Sequence, residues 1–194
     1  MGRKKKKIEK EEKKSSKKFD LGSNIKAKLL SSELVQGNVK LTLLTKGSNK
    51  VVRTLEGNNT GTINVCEYLR DALAGDYVIN QRPGIIIPCA VQGGKLVNLT
   101  NGVPYLGNAM KNDFDVTDVG CSMTLMFLIG SELAGSEIGG FRLCSLDSAD
   151  LPNAEKRVYA EINLVKQYGE EEGIVIVTPG TNLKVEWTVS VRFK

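Results

Sequence analysis

From Ser32 onward the apolar positions fall into short segments rich in Val, Ile, Leu and Thr, divided by clusters of Gly, Asn and Asp, which is the pattern of half-buried β-strands. The pattern predicts strands over 34–45, 50–55, 84–91, 95–99, 115–129, 137–144, 157–166, 173–177 and 182–193. The last of these alternates most strictly. Leu183, Val185, Trp187, Val189, Val191 and Phe193 share one face, and Lys184, Glu186, Thr188, Ser190 and Arg192 share the other. Strands of this kind each need one covered face, so the expected fold class is all-β: an antiparallel β-sandwich or jelly roll. Its core is expected to hold Trp187, Val185 and Val189 from the last strand, together with Phe127 and Tyr159.

One segment departs from the period of two. Between Thr62 and Gly75, the residues Val65, Cys66, Leu69, Ala72 and Leu73 recur at helical spacing. Asn64 followed by Glu67 fits an N-cap with a returning Glu, and Gly75 suits the position just past the end. A single short helix is therefore expected, lying across a sheet or closing one end of the sandwich. After it, Pro83-Gly84 signals a turn into Ile85, Ile86 and Ile87, a run with no polar face and hence a central strand.

Charge divides the chain into two parts. It carries 27 basic and 22 acidic side chains, a net charge of +5. Residues 1–18 hold ten of the basic groups (Arg3, Lys4, Lys5, Lys6, Lys7, Lys10, Lys13, Lys14, Lys17 and Lys18) against Glu9, Glu11 and Glu12, so this arm is +7. The rest, 17 basic against 19 acidic, is −2. Residues 1–18 thus read as a lysine-rich N-terminal arm and residues 19–194 as the β-sandwich domain. The arm is too polar to offset its own ordering entropy by burial and needs a partner to become fixed. Nucleic acid, an anionic membrane and an acidic protein surface all suit a cationic segment. The three glutamates, spaced so that Lys5 precedes Glu9 and Glu9 precedes Lys13 by four residues, favour docking to protein over neutralising phosphate. They also occupy the place where a secretory signal needs an apolar stretch, and no apolar run approaches the length of a membrane span, so synthesis in a cytosol and no membrane partner are expected.

The candidate chemistry is sparse. The chain has no His, which removes the commonest general base and most catalytic zinc sites. Cys66, Cys89, Cys121 and Cys144 form no C-x-x-C pair and read as buried apolar fillers. Asp113, Asp115 and Asp118 could offer oxygen ligands to a hard cation, but they lack the Gly and the closing Glu of a calcium loop and read better as a solvated strand entry. Glu170, Glu171 and Glu172, between two glycines, read as an acidic hairpin tip or as a contact for a lysine arm. The glycines around Gly130–Gly135 and Gly139–Gly140 match no phosphate-binding string and read as turns. No spacing marks a nucleophile with its base, so no enzyme, cofactor or metal is expected.

Three stretches together resemble a family of small structural proteins of tailed bacteriophages, found among head, collar and tail-fibre components. The first is Tyr68-Leu69-Arg70-Asp71-Ala72-Leu73-Ala74-Gly75, followed by Arg82-Pro83-Gly84-Ile85-Ile86. The second runs from Thr124 to Ile129 and then from Leu133 to Phe141, with Gly139 where the family has Glu. The third pairs Val158-Tyr159-Ala160-Glu161-Ile162-Asn163-Leu164 with Leu183-Lys184-Val185-Glu186-Trp187-Thr188-Val189-Ser190-Val191. The resemblance spans about residues 62–193 and does not reach the arm. It implies a non-enzymatic virion protein, made in the host cytoplasm, that forms homo-oligomers and contacts other capsid, collar or tail proteins. The arm would anchor it, with nucleic acid as a further partner of the arm. Two other functions fit the layout: the jelly-roll coat protein of a small icosahedral virus with a genome-binding arm, and a carbohydrate-binding or adhesion module.

Overall fold

The computed structural model of the protein describes residues 35–76, 81–104, 114–117, 120–152 and 155–192. The arm, Asp113, Asp118 and Phe193 lie outside the described residues. Two antiparallel sheets face each other. The first has the order β2-β1-β13-β8-β7, formed by β1 (Val35–Thr45), β2 (Val51–Asn58), β7 (Phe114–Thr117), β8 (Gly120–Ile129) and β13 (Thr181–Arg192). The second has the order β3-β11-β10-β4-β5, formed by β3 (Thr60–Gly61), β4 (Pro83–Gln92), β5 (Lys95–Asn98), β10 (Gly140–Ser145) and β11 (Val158–Asn163), while β6 (Val103–Pro104) also pairs with β4. A small third sheet joins β9 (Glu137–Ile138) to β12 (Val175–Ile176).

Alternation decides the core. Val39 and Leu41 of β1, Leu125, Phe127 and Ile129 of β8, and Leu183, Val185 and Trp187 of β13 point inward from the first sheet. Ile86, Phe141, Leu143, Ala160 and Ile162 meet them from the second. This shared interior makes the protein an all-β sandwich, as its strand pattern predicts. Each such aliphatic side chain contributes on the order of 1.5–3 kcal/mol by leaving water. Trp187, Val185 and Phe127 are fully buried, whereas Val189 is partly buried at the margin. Tyr159 is buried too, but on the opposite face of the second sheet from the main core residues Ala160 and Ile162, because it alternates with them along β11.

The strand β4 is central and covered on both faces, as its apolar run requires. Ile85, Ile87 and Cys89 form a second apolar cluster with Cys144. Pro88 survives at this central position because its nitrogen faces the gap between β6, which pairs with Ile85 and Ile86, and β5, which begins its pairing at Cys89. Its carbonyl accepts from the Leu99 N–H at 2.9 Å.

Helix α1 (Ile63–Ala74) lies against β11 and is followed by Gly75 at φ 82°. The ring of Tyr68 meets that of Tyr159 at 5.5 Å. Asn64 does not cap this helix. The helix begins one residue before it, and the Asn64 amide instead donates to the Val158 carbonyl at 2.9 Å, with the Thr62 hydroxyl donating to the same oxygen.

Three predicted strands are each two elements. The run 115–129 is the hairpin of β7 and β8, with Thr117 opposite Gly120. The run 137–144 breaks at Gly139, and β9 and β10 enter different sheets. The run 157–166 ends as a strand at Asn163, whose side chain accepts from the Lys166 N–H at 2.9 Å and starts the short helix α2 (Leu164–Tyr168). At Gly139 a glycine, and at Asn163 local polar hydrogen bonding, overrides an apolar run that continues past it, while the break of the first run falls at residues 118–119, outside the described residues.

Candidate functional site

Three places bring chemistry-bearing side chains together. The first lies on the outer face of the second sheet, where Arg142 of β10 stands beside Glu161 of β11. All three guanidinium nitrogens donate: Nε to Glu161 at 2.7 Å, Nη1 to Asn98 Oδ1 at 2.6 Å and Nη2 to the Leu96 carbonyl at 3.2 Å. The planar fork thus ties β5, β10 and β11 together over β4. Beneath it, the Cys89 thiol donates to the Ile87 carbonyl at 3.3 Å. Burial pushes the Cys89 thiol up to about 12 against the pull of Arg142, and burial does the same to Cys144 against Lys156 and Arg142. A thiol held there is protonated at neutral pH and is not a nucleophile. This face is a clamp.

The second place is the corner between β10 and β11. Ser145 donates to Asp147, its hydroxyl lies 2.6 Å from that of Ser148, and Ser148 Oγ accepts from the Arg157 N–H at 3.0 Å. The buried Lys156 amino group donates to the Ser148 carbonyl at 2.6 Å and to the Asn101 carbonyl at 2.9 Å. Serine and lysine side by side can form a nucleophile and base, but here the amino group is turned onto backbone carbonyls and the hydroxyls are spent within the turn. The corner fastens the loop at Asn101 to the loop after β10. Its side chains lie within residues 145–157, and only the sheet order brings the loop at Asn101 onto Lys156.

The third place is a groove of about 560 Å³ on the β2 flank. An edge strand needs cover, and the segment after β11 supplies it. Gln167 donates to the Asn58 carbonyl at 2.6 Å, and the Tyr168 hydroxyl donates to that of Glu56. Arg53 reaches back from β2, with Nη1 donating to the Ile174 carbonyl at 3.0 Å and Nη2 to that of Glu172. Glu170–Glu172 are therefore not a hairpin tip. They form the exposed short helix α3 (Glu170–Gly173), which is held against α2 because Gly173 has no side chain: a Cβ there would lie 2.6 Å from the Leu164 carbonyl oxygen and from the Val165 backbone. The groove runs between this segment and β9. Leu43, Ile174 and Ile176 give it an apolar floor, and Glu137, Glu170 and Glu171 give it an acidic rim. Among the described residues its one lining cation, Arg53, is already engaged with two carbonyls. Ile176 is 46% exposed within it. A surface of this kind suits an extended cationic segment carrying an apolar side chain.

The predicted core residues Trp187, Val185 and Phe127 meet one another in the interior, and none of them enters the groove. Asp115 stands in β7, while its two sequence companions lie outside the described residues. Among the described residues, no three His, Cys, Asp or Glu side chains converge as metal ligands would. Of the groove, only the glutamates after Gly169 were legible in the sequence; Glu137, Arg53 and the apolar floor are assembled by the third sheet and the β2 edge. In comparisons with known proteins, the chain matched no family model, no curated protein and no solved structure.

Proposed function

We propose that the protein is a non-enzymatic structural component of a larger assembly, in particular a virion protein of a tailed bacteriophage at the head, collar or tail, which associates through its sandwich and is anchored by its basic arm. The observation that carries this reading is charge separation: a +7 leader joined to a body of net charge −2 that carries a groove with an acidic rim. The bacteriophage assignment rests on the three sequence stretches that resemble that family, with Trp187 in the most specific of them. The clamp at Arg142 and the corner at Lys156 have their polar groups turned inward on the protein, in keeping with a scaffold.

Light scattering coupled to size exclusion, with negative-stain microscopy of the full chain, tests the reading. Rings, trimers or other small closed oligomers are expected. Closed shells would instead favour the coat protein of a small icosahedral virus. A monomer at all accessible concentrations that also fails to bind capsid or tail proteins would refute the assembly role.

A further inference from the structure

We propose that the acidic groove on the β2 flank is the socket for the lysine-rich arm, residues 1–18, of a second copy of this chain. The proposal rests on the assembly role above and specifies its partner and contact. Its grounds are chemical match, composition and position.

The match is of charge and of apolarity together. Glu137, Glu170 and Glu171 stand on the rim, and ten basic side chains crowd the arm. The floor of Leu43, Ile174 and Ile176 is apolar, and the cationic stretch of the arm carries one aliphatic side chain, Ile8, preceded by Lys4–Lys7 and followed by Glu9 and Lys10. Ile8 on the floor, with the neighbouring lysines at the carboxylates, satisfies both features of the groove. A nucleic acid would be repelled by the same rim. The groove also cannot serve as an edge for strand addition at Glu56 and Asn58, because Tyr168 and Gln167 already occupy those carbonyls. At the β2 edge recognition must therefore go through side chains.

Position and length admit a neighbouring copy. The leader enters the fold at Val35, the start of β1, whereas the groove is lined by Leu43 near the other end of that strand. Eight residues of strand separate them by about 27 Å. A leader leaving at one end and a socket at the other make a head-to-tail contact, which repeats from copy to copy and closes into a ring when the rotation allows. Residues 19–34 could reach about 55 Å when extended, long enough to bridge to an adjoining molecule and also to span the roughly 27 Å back to the chain's own groove, which is the alternative that the isotope pattern below separates.

The test uses the full chain with a benzophenone amino acid at position 8, prepared as an equal mixture of ¹⁴N- and ¹⁵N-labelled protein and irradiated at low salt. Expected are crosslinks from position 8 to residues 174–176 that join heavy to light chains. The yield should fall about tenfold in the triple variant Glu137→Gln, Glu170→Gln, Glu171→Gln, whose circular dichroism should be unchanged. Crosslinks confined to one isotope would show the arm in its own groove and overturn the proposal. So would crosslinks scattered over other surfaces, or a yield indifferent to the glutamine variant. An oligomer that persists without these crosslinks refutes the socket while leaving the assembly role standing, whereas a chain that is monomeric throughout refutes the socket, and refutes the assembly role too if it also fails to bind capsid or tail proteins.

Discussion

Truncating Trp187 to alanine removes the largest side chain in the core. The indole is fully buried, opposite Val39 of β1 on one side and Leu125 of β8 on the other. About 200 Å² of aromatic surface at roughly 25 cal/mol per Å² is worth about 5 kcal/mol. The indole Nε1, however, makes no hydrogen bond, and an orphaned buried donor gives back about 1–3 kcal/mol. A cavity term then adds to the loss, since two sheets pinned by their ladders close only partly around a missing ring. Trp187→Ala should therefore cost about 3–5 kcal/mol. Trp187→Phe loses only the smaller ring's share, about 1.5 kcal/mol, and relieves the orphaned donor, so it should lie within about 1 kcal/mol of the parent. Urea unfolding followed by far-ultraviolet circular dichroism measures both variants, because Trp187 is the chain's one tryptophan and fluorescence is lost with it. If alanine costs less than about 1 kcal/mol, the indole does not sit in a packed core. If phenylalanine costs as much as alanine, the account of the unpaired N–H is wrong.

Three further outcomes follow from the packing. Burial raises the Cys89 and Cys144 thiols from 9.0 to about 12, so the folded chain keeps protons that the unfolded chain releases. Their contribution is complete below pH 9 and is lost as pH rises from 9 towards 12; at pH 10 it should fall by about 1 kcal/mol per thiol, seen as a steeper decline in urea midpoint between pH 8 and 10 than in the Cys89→Ala, Cys144→Ala variant. Gly173→Ala drives a methyl into the α2 backbone and should destabilise by about 1–3 kcal/mol in the same urea assay, while detaching α3 and weakening arm capture. Arg142→Ala should cost about 1–3 kcal/mol because it strands Asn98, Glu161 and the Leu96 carbonyl. Arg142→Lys should recover only part, since an ammonium cannot span three acceptors in a fork; equal stability of parent and alanine variant would show that the clamp carries no load.

The alternation of Leu183, Val185 and Trp187 against Lys184, Glu186 and Thr188 was enough to fix which face of β13 is inside, because the side-chain period of a strand leaves no other choice. In the same way the unbroken Ile85–Ile87 run announced a strand covered on both sides, and the helical spacing of Val65, Cys66, Leu69, Ala72 and Leu73 between Thr62 and Gly75 announced the helix found at Ile63–Ala74. The turn at Gly139–Gly140 was legible in its glycines, but that the two halves of its run join different sheets was not, nor was the break at Asn163. A run reports burial, whereas the sheet that each half joins depends on partners far away in the chain. The charge asymmetry of the arm and the acidic triplet after Gly169 are properties of local sequence and were visible there. That Glu137, Arg53 and Ile176 stand beside that triplet was decided by the pairing of β9 with β12 and by the closure of the β2 edge. Those contacts cross 39 residues between Glu137 and Ile176, and 121 between Arg53 and Ile174. Local pattern cannot encode such proximity; only the tertiary fold, which closes these long loops through burial and pairing, brings the groove into being.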